Sequence, residues 1–477
     1  MSSNLTLIWI ALPFLAGFLG YLLPSLARLL SLGVATVSVG YALLLFTQPP
    51  LHLQLLDRFG VTLLLDPLSG FFILTNALVT MAVILYCWRS NKTAFFYMQT
   101  IILHGSVNAA FACTDFMSLY VALEVISIAA FLLIAYPRTD RSIWVGLRYL
   151  FVSNVAMLFY LVGTVLVYQA NHSFAFVGIR QSPPEALALI FLGLLVKGGI
   201  FVSGLWLPLT HSESETPVSA MLSGVVVKAG VLPLVRCALL VGEFDPLIRI
   251  FGVGTAVLGV AYAVFEKDTK RMLAFHTVSQ LGFILAAPEV GGFYALTHGL
   301  VKAALFLTAG VLPSRNLKEL QHQPIHTPVW IALVIASFSI SGFPLLSGFG
   351  AKVLTMKSLL PWQVIGMNIA ALGTAISFAK LIFLPHEHHG KAEVTPSFWA
   401  AIVLLIGGLF LANVAYYEAY TLANIVKPLA TIALGWLVYW LLSRHTMIKL
   451  PRLLEQFDHL IGVMSLMLLL LLGMVMA

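Results

Sequence analysis

Continuously apolar runs of about twenty residues recur from one end of this chain to the other, with only short polar punctuation between them. A run of that length crosses the hydrocarbon core of a bilayer as an α-helix, so the chain is committed to a helical fold in lipid before any motif is considered. Composition agrees: of 477 residues, 60% are hydrophobic and 9% are charged, a balance foreign to water-soluble domains. A β-barrel is disfavoured, because barrel strands alternate apolar and polar residues over about ten positions. The apolar runs place spans at roughly 5–24, 29–47, 68–87, 95–113, 115–136, 143–168, 186–206, 217–241, 247–265, 271–288, 291–312, 328–350, 360–383, 397–416, 422–443 and 457–476. The N-terminal run "LTLIWIALPFLAGFLGYLL" is long for a signal sequence and has no convincing cleavage site, so it reads as the first span. The expected fold is an all-α polytopic membrane protein, one membrane domain of about 14–16 helices.

The net charge of +7 does not mark a nucleic-acid partner, since the basic residues are scattered through short loops and form no patch. They report orientation instead. Loops expected on one side carry Arg28, Arg89, Lys92, Arg138, Arg141, Lys267, Lys270, Arg271, Arg315, Lys318, Lys391, Arg444, Lys449 and Arg452; the other side has little beyond Arg58, Arg180, Arg249 and Lys357. By the positive-inside rule the first group is cytoplasmic and the N-terminus lies outside. Cys87, Cys113 and Cys237 lie far apart with no CxxC spacing, so no disulfide framework, zinc site or iron–sulfur site is expected.

Two spans are interrupted in a corresponding way. In "LLVKGGIFVSGLWLPLTHSESETP" the breakers are Gly198, Gly199, Gly204 and Pro208; in "SFSISGFPLLSGFGAKVL" they are Gly342, Pro344, Gly348 and Gly350. Paired interruptions point to an internal repeat with an unwound stretch beside an ion site. Ordinary kinks would account for either break alone; the lysine beside each one favours the ion site.

The most informative residues are ionisable groups far from span ends: Glu124, Lys197, Lys228, His298, Lys302 and Lys352. Each costs about 3 kcal/mol to bury at a helix centre, so the six need a compensating environment. Lysines outnumber the single deep carboxylate, which rules out simple ion pairing for all of them. Burial disfavours an ammonium and a nearby carboxylate favours it, so a lysine whose acid approaches and retreats can be switched between holding and releasing a proton. Glu124 with Lys197 fits that device, and the remaining groups fit a water-bridged relay along the membrane midplane. His298 and Lys302 are four residues apart and share a helix face. Arg148, Arg236 and Lys380, near span ends, are expected to snorkel. Arg148, His276, Ser279 and Gln280 are secondary candidates. The loop cluster His386, Glu387, His388 and His389 has metal-ligand residue types but reads as a solvated loop; Arg444, Lys449 and Arg452 are placed for contact with anionic headgroups.

"FMSLYVALEVISIAAFLLIAY", "VKGGIFVSGLWLPLTHSESETPVSAMLSGVVVKAGVLPLVR", "KDTKRMLAFHTVSQLGF", "THGLVKAALFLTAG" and "SGFPLLSGFGAKV" occur in that order. Together they resemble the proton-conducting domain shared by Mrp cation/proton antiporter subunits and the antiporter-like subunits of complex I. The resemblance runs from about residue 66, at "DPLSGFF", to about residue 383. It implies two inverted five-helix repeats, 95–241 (helices 4–8) and 247–383 (helices 9–13), with helices 7 and 12 broken, flanked by 1–94 and 397–477. It also implies the roles: Glu124 as the span 5 glutamate, Lys197 as the span 7 lysine, Lys228 as the bridging lysine, His298 and Lys302 as the span 11 pair, and Lys352 as the terminal residue. Lys302 and Lys352 are more similar to the Mrp D and A types than to the complex I M type. Gln280 stands where some members have histidine, and "HSESETPVSA" replaces the usual "PDAHxxAPTPVSA".

The expected function is therefore proton translocation in a D-like subunit of a multisubunit Na⁺/H⁺ antiporter in an energy-transducing inner membrane. Other membrane subunits, lipid, protons and sodium are the expected partners, and no cofactor is expected. The rival is a proton-pumping subunit of a complex I-like or hydrogenase-like assembly. A membrane-embedded enzyme would need clustered Asp, His or Cys at an interface, and a solute carrier or channel would not need a row of titratable lysines.

Overall fold

A computed structural model describes residues 3–56, 60–387, 394–443 and 450–476. Arg58, Lys391, Arg444, Lys449, His388 and His389, all named above, lie outside the described residues. The helices are α1 (Ser3–Leu22), α2 (Ala27–Leu44), α3 (Pro67–Tyr86), α4 (Ala94–Ala112), α5 (Phe116–Ile134), α6 (Asp140–Asn171), α7 (Pro184–Gly198), α8 (Leu207–Glu213), α9 (Thr216–Met221), α10 (Lys228–Leu240), α11 (Asp245–Phe265), α12 (Thr269–Ala286), α13 (Gly291–Ala309), α14 (Leu317–Leu320), α15 (Thr327–Ser341), α16 (Ser347–Lys357), α17 (Val364–Ile382), α18 (Pro396–Ala415), α19 (Leu422–Val438) and α20 (Phe457–Met476). Every expected span has a helical counterpart. Among the described residues, 13 helices are long and apolar enough to cross a membrane. The expected spans that miss this standard are α4, α12 and α15. α15 is short, whereas α4 carries Gln99, His104 and Asn108 into the interior and α12 carries Lys270, Arg271, His276 and Gln280.

Burial sorts the helices into two shells. Every residue of α12 is buried, and α10 and α13 are nearly so. The peripheral helices α1, α18 and α20 bury one stripe each and expose apolar side chains such as Leu15, Leu411 and Leu469, as lipid-facing helices do. Small residues let the inner helices approach closely, the usual solution where lipid removes the hydrophobic drive between helices. Gly252 and Gly259 on α11 and Gly282 on α12 bring these two helices backbone to backbone.

The segment between the second and third spans forms a hairpin that no span assignment anticipates. Its strands β1 (Leu51–Leu56) and β2 (Gly60–Leu65) pair antiparallel, Leu51 opposite Leu65. Asp115, which caps α5, also accepts from the Thr62 amide at 2.8 Å and pins the hairpin to the helical body. Next to it, Asp66 caps α3 and receives both terminal nitrogens of Arg236 at 2.7 Å. Burial opposes ionisation of Asp66, but Arg236 and the Ser69 amide outweigh it and hold the carboxyl below its usual range. The pair therefore contributes above the ordinary carboxylate range and fades as pH falls through it. Arg236→Leu leaves the acid without its partner, at a cost of about 3–5 kcal/mol; a lower detergent-solubilised Tm is expected, largely recovered by Asp66→Asn in the same chain.

Candidate proton pathway

Both interrupted spans end their first half on a left-handed glycine. α7 stops at Gly198 and turns at Gly199 (φ 66°); α15 stops at Ser341 and turns at Gly342 (φ 84°). This region favours glycine because a Cβ would crowd the backbone. Each break also holds a non-glycine residue at positive φ, Phe201 (53°) and Leu345 (109°), and such strain gathers where a fold sacrifices regularity for function. The Phe201 amide is held by Thr255 Oγ1 at 2.9 Å, and the Leu345 amide by the Tyr420 hydroxyl at 3.0 Å. Past the first break come a 3₁₀ turn over Phe201–Trp206 and then α8, whose second residue is Pro208; past the second, which contains Pro344, comes α16.

Lys197 occupies the last turn of α7 and is 7% exposed. Its Nζ donates to the Leu123 carbonyl at 3.1 Å and to Ser127 Oγ, both on α5. Glu124 lies between these two residues in sequence, yet it makes no ion pair with Lys197, and its buried Oε1 has no hydrogen-bond partner. The expected gating pair is thus adjacent but disengaged. Beside the amine is an enclosed cavity of about 10 Å³, roughly the room one water needs, lined by Tyr149, Ser153, Trp206, Val226 and Ala229 among others.

Val226 and Ala229 flank Lys228 in sequence, on the helix that packs against α7. A π-turn over Leu222–Val226 precedes it, and its Nζ donates to the carbonyls of Gly224 (2.6 Å) and Ser223 (3.4 Å). Such turns misalign the i→i−4 ladder and recur at functional sites. Gly299 packs against that same Gly224 carbonyl. This brings the next group, His298 on α13, into line; it is 2% exposed, with both ring nitrogens unpartnered. One turn on, Lys302 is fully buried, donates to the Leu273 carbonyl of α12, and lies 5.2 Å from the Phe306 ring centroid.

α12 carries the line onward. His276, one turn beyond Leu273, has both nitrogens unpartnered and packs on Phe378 with centroids 4.7 Å apart. Gln280, a further turn along, accepts from the Tyr294 hydroxyl at 2.6 Å. Phe283 follows, and Lys352 Nζ sits 5.5 Å from its centroid with no hydrogen-bond partner. The structure therefore buries Lys197, Lys228, His298, Lys302, His276, Gln280 and Lys352 on helices that pack against one another. The Ser279 hydroxyl instead binds the Ala256 carbonyl and fastens α12 to α11.

The snorkelling expected for Arg148, Arg236 and Lys380 is not observed. Arg148 is 5% exposed and donates to the Glu455 carbonyl, Arg236 pairs with Asp66, and Lys380 caps the C-terminal carbonyls of α11. Each meets an acceptor within the protein. Arg271, counted above as a loop cation, is also internal: it joins both oxygens of Glu455 (2.7 and 2.8 Å) to Glu266 (3.1 Å) and so anchors the segment before α20. Burial opposes the charge on Glu266, but the Lys267 amide and Arg271 hold its carboxyl below the usual range. His386 stacks on Trp330 with centroids 3.9 Å apart.

Three features escaped the sequence reading. His211 on α8 is fully buried with both nitrogens unpartnered, its ring 5.9 Å from the Phe306 ring that Lys302 overlies. A histidine three residues past Pro208 was a visible signal. Ser127, three residues after Glu124, shares that residue's helix face and was equally visible. The third is a buried network among α1–α4, in which His104 meets Ser38 (2.9 Å) and Thr80 (3.2 Å) and Asn76 binds Asn108 (2.8 Å); its parts are too dispersed in sequence to signal one another.

The chain is similar to several known proteins. The D-type subunit of the Na(+)/H(+) antiporter of Alkalihalophilus pseudofirmus is 27% identical over 422 residues, covering 80% of this chain and 85% of the relative. The N-type subunit of the NADH-quinone oxidoreductase of Desulforudis audaxviator is 30% identical over 362 residues, 68% of this chain and 72% of the relative. A chain of the archaeal membrane-bound sulfane sulfur reductase has the same fold, with a TM-score of 0.78 at 22% identity, covering 91% of this chain and all of that one. Residues 113–377, more than half of the chain, match the model of the family described as NADH:quinone oxidoreductase/Mrp antiporter, transmembrane, and the chain belongs to that family.

Proposed function

We propose that this chain is the D-like proton-translocating subunit of a multisubunit Na⁺/H⁺ antiporter. The observation that carries the reading is the set of buried ionisable groups, Lys197, Lys228, His298, Lys302, His276 and Lys352, on packed helices that include both interrupted spans. Four buried amines without carboxylate partners suit groups that exchange protons better than groups that brace a fold. Glu124 modulates Lys197 at one end and Lys352 hands protons on at the other, with 95–241 and 247–383 acting as inverted repeats between the flanking segments 1–94 and 397–477. The N-terminus faces outward from an energy-transducing inner membrane, and neighbouring membrane subunits complete the cation route.

The similarity to a quinone oxidoreductase component favours a second reading, a proton-pumping subunit powered by an electron-transfer arm. One experiment separates the two. The intact complex is purified by a tag on this chain, its subunits are identified, and everted vesicles containing it are acidified inside. Antiport requires sodium added outside to raise the interior pH. A complex that ignores sodium and acidifies vesicles only when quinone is being reduced supports the second reading.

A further inference from the structure

Lys197 rests on a neutral site, the Ser127 hydroxyl and the Leu123 carbonyl with Ser153 behind them, and nothing in the pathway described so far requires it. Ser127 Oγ donates to the Leu123 carbonyl at 2.7 Å, which leaves its lone pairs to accept, from Lys197 Nζ and from the Ser153 hydroxyl of α6 at 3.1 Å. The Leu123 carbonyl accepts from both the serine and the amine. Ser127 is fully buried and Ser153 is 4% exposed, so no bulk water competes. The Leu123 carbonyl and Ser127 Oγ form an acceptor cradle for the amine, Ser153 braces Ser127 from behind, and Ser153 also lines the water-sized cavity beside the amine. Glu124 stands three residues back on the same helix, its Oε1 free of partners. Titratable groups on the elements packed here include Tyr97 and His104 on α4, Tyr120 on α5, Asp140, Arg141, Arg148, Tyr149, Tyr160 and Tyr168 on α6, Glu185 on α7, His211 and Glu213 on α8, Lys228, Arg236 and Cys237 on α10, and Asp458 and His459 at the start of α20.

We propose that Ser127 and Ser153 are positioning residues that give Lys197 a second, uncharged docking place, and that Lys197 works by moving its amine between this cradle and the Glu124 carboxylate. The inference rests on the proton-translocating reading above. Its logic is the difference between the two acceptors. A carboxylate stabilises an ammonium far more than neutral hydroxyl and carbonyl oxygens do. The amine therefore keeps its proton while paired with Glu124, and yields it more readily in the cradle, beside a cavity with room for about one water. A rotation of the lysine side chain suffices, because Glu124 and Ser127 are one helical turn apart.

The test uses the complete complex in everted vesicles and reads the pH dependence of sodium-driven exchange. Without the cradle, Lys197 is left with Glu124 alone. Ser127→Ala should then move the pH of half-maximal exchange upward by about one unit, the scale of one hydrogen bond, and lower the maximal rate. Ser127→Thr, which keeps a hydroxyl, should restore the original profile, and Ser153→Ala should move it in the same direction by less. Serines that merely pack the core would lower the amount of folded complex and leave the profile of the surviving molecules in place. An unchanged profile in Ser127→Ala, or one moved to lower pH, overturns the proposal. Lys197→Ala in the same assay separates the two levels. Exchange that persists there defeats the translocation reading itself; exchange abolished there, with an unmoved Ser127→Ala profile, defeats the cradle alone.

Discussion

Complexes carrying Lys302→Arg are expected to lose sodium-driven pH change as completely as those carrying Lys302→Ala, by about a hundredfold or more if the residue hands protons on. A guanidinium keeps the positive charge but does not give up a proton at any physiological pH. If Lys302 served only as a fixed charge, arginine would preserve function; if it must titrate, both replacements fail. Its surroundings favour titration, since the fully buried Nζ has the Leu273 carbonyl and the Phe306 ring beside it and no acid in contact. Arginine is larger, so the amount of folded complex must be matched by size-exclusion chromatography and Tm. Exchange above half of the wild-type rate in Lys302→Arg would remove Lys302 from the relay.

The second large effect concerns assembly. Gly282→Val is expected to prevent recovery of a monodisperse protein. A Cβ at Gly282 would lie 2.4 Å from the Ala256 amide nitrogen and 2.4 Å from the Gly252 carbonyl oxygen, backbone atoms that cannot turn aside. Overpacking ordinarily costs about 1–3 kcal/mol where side chains can shift; here α11 would have to move away from α12, the helix that carries His276 and Gln280. Gly33→Ala and Gly40→Ala serve as controls, because a Cβ at either meets nothing within 4 Å. Normal yield and an unshifted Tm for Gly282→Val would show that the two helices separate at little cost.

These two cases also show what was readable from residues alone. Lys302 stood out because a lysine in the middle of an apolar run is expensive and needs a reason, and the same logic located Lys197, Lys228 and Lys352. The two breaks were legible because glycine and proline have few other uses at that density. Contacts between distant segments were not legible. Nothing local tells Arg236 that Asp66 awaits it, or Arg271 that Glu455 will arrive from the far C-terminal segment, so Arg236 read as snorkelling and Arg271 as a loop cation when each had an internal partner. The pairing of β1 with β2 was not legible because the stretch between the second and third spans reads only as a connection, and its register depends on contacts across the chain. The disengagement of Lys197 from Glu124 was hidden for a different reason: it depends on which rotamer the lysine adopts, and sequence spacing does not encode that choice.

The π-turn before Lys228 has one more consequence. It accommodates a single surplus residue in one helical turn. A chain one residue shorter between Leu222 and Val226 would resume the ordinary α-helical register and swing everything upstream by about 100° relative to α10. Ser223 and Gly224 would then present their carbonyls elsewhere, and the Lys228 amine would lose the two acceptors it has now. The surroundings of the Lys228 amine are thus set by a count of residues as much as by their identity.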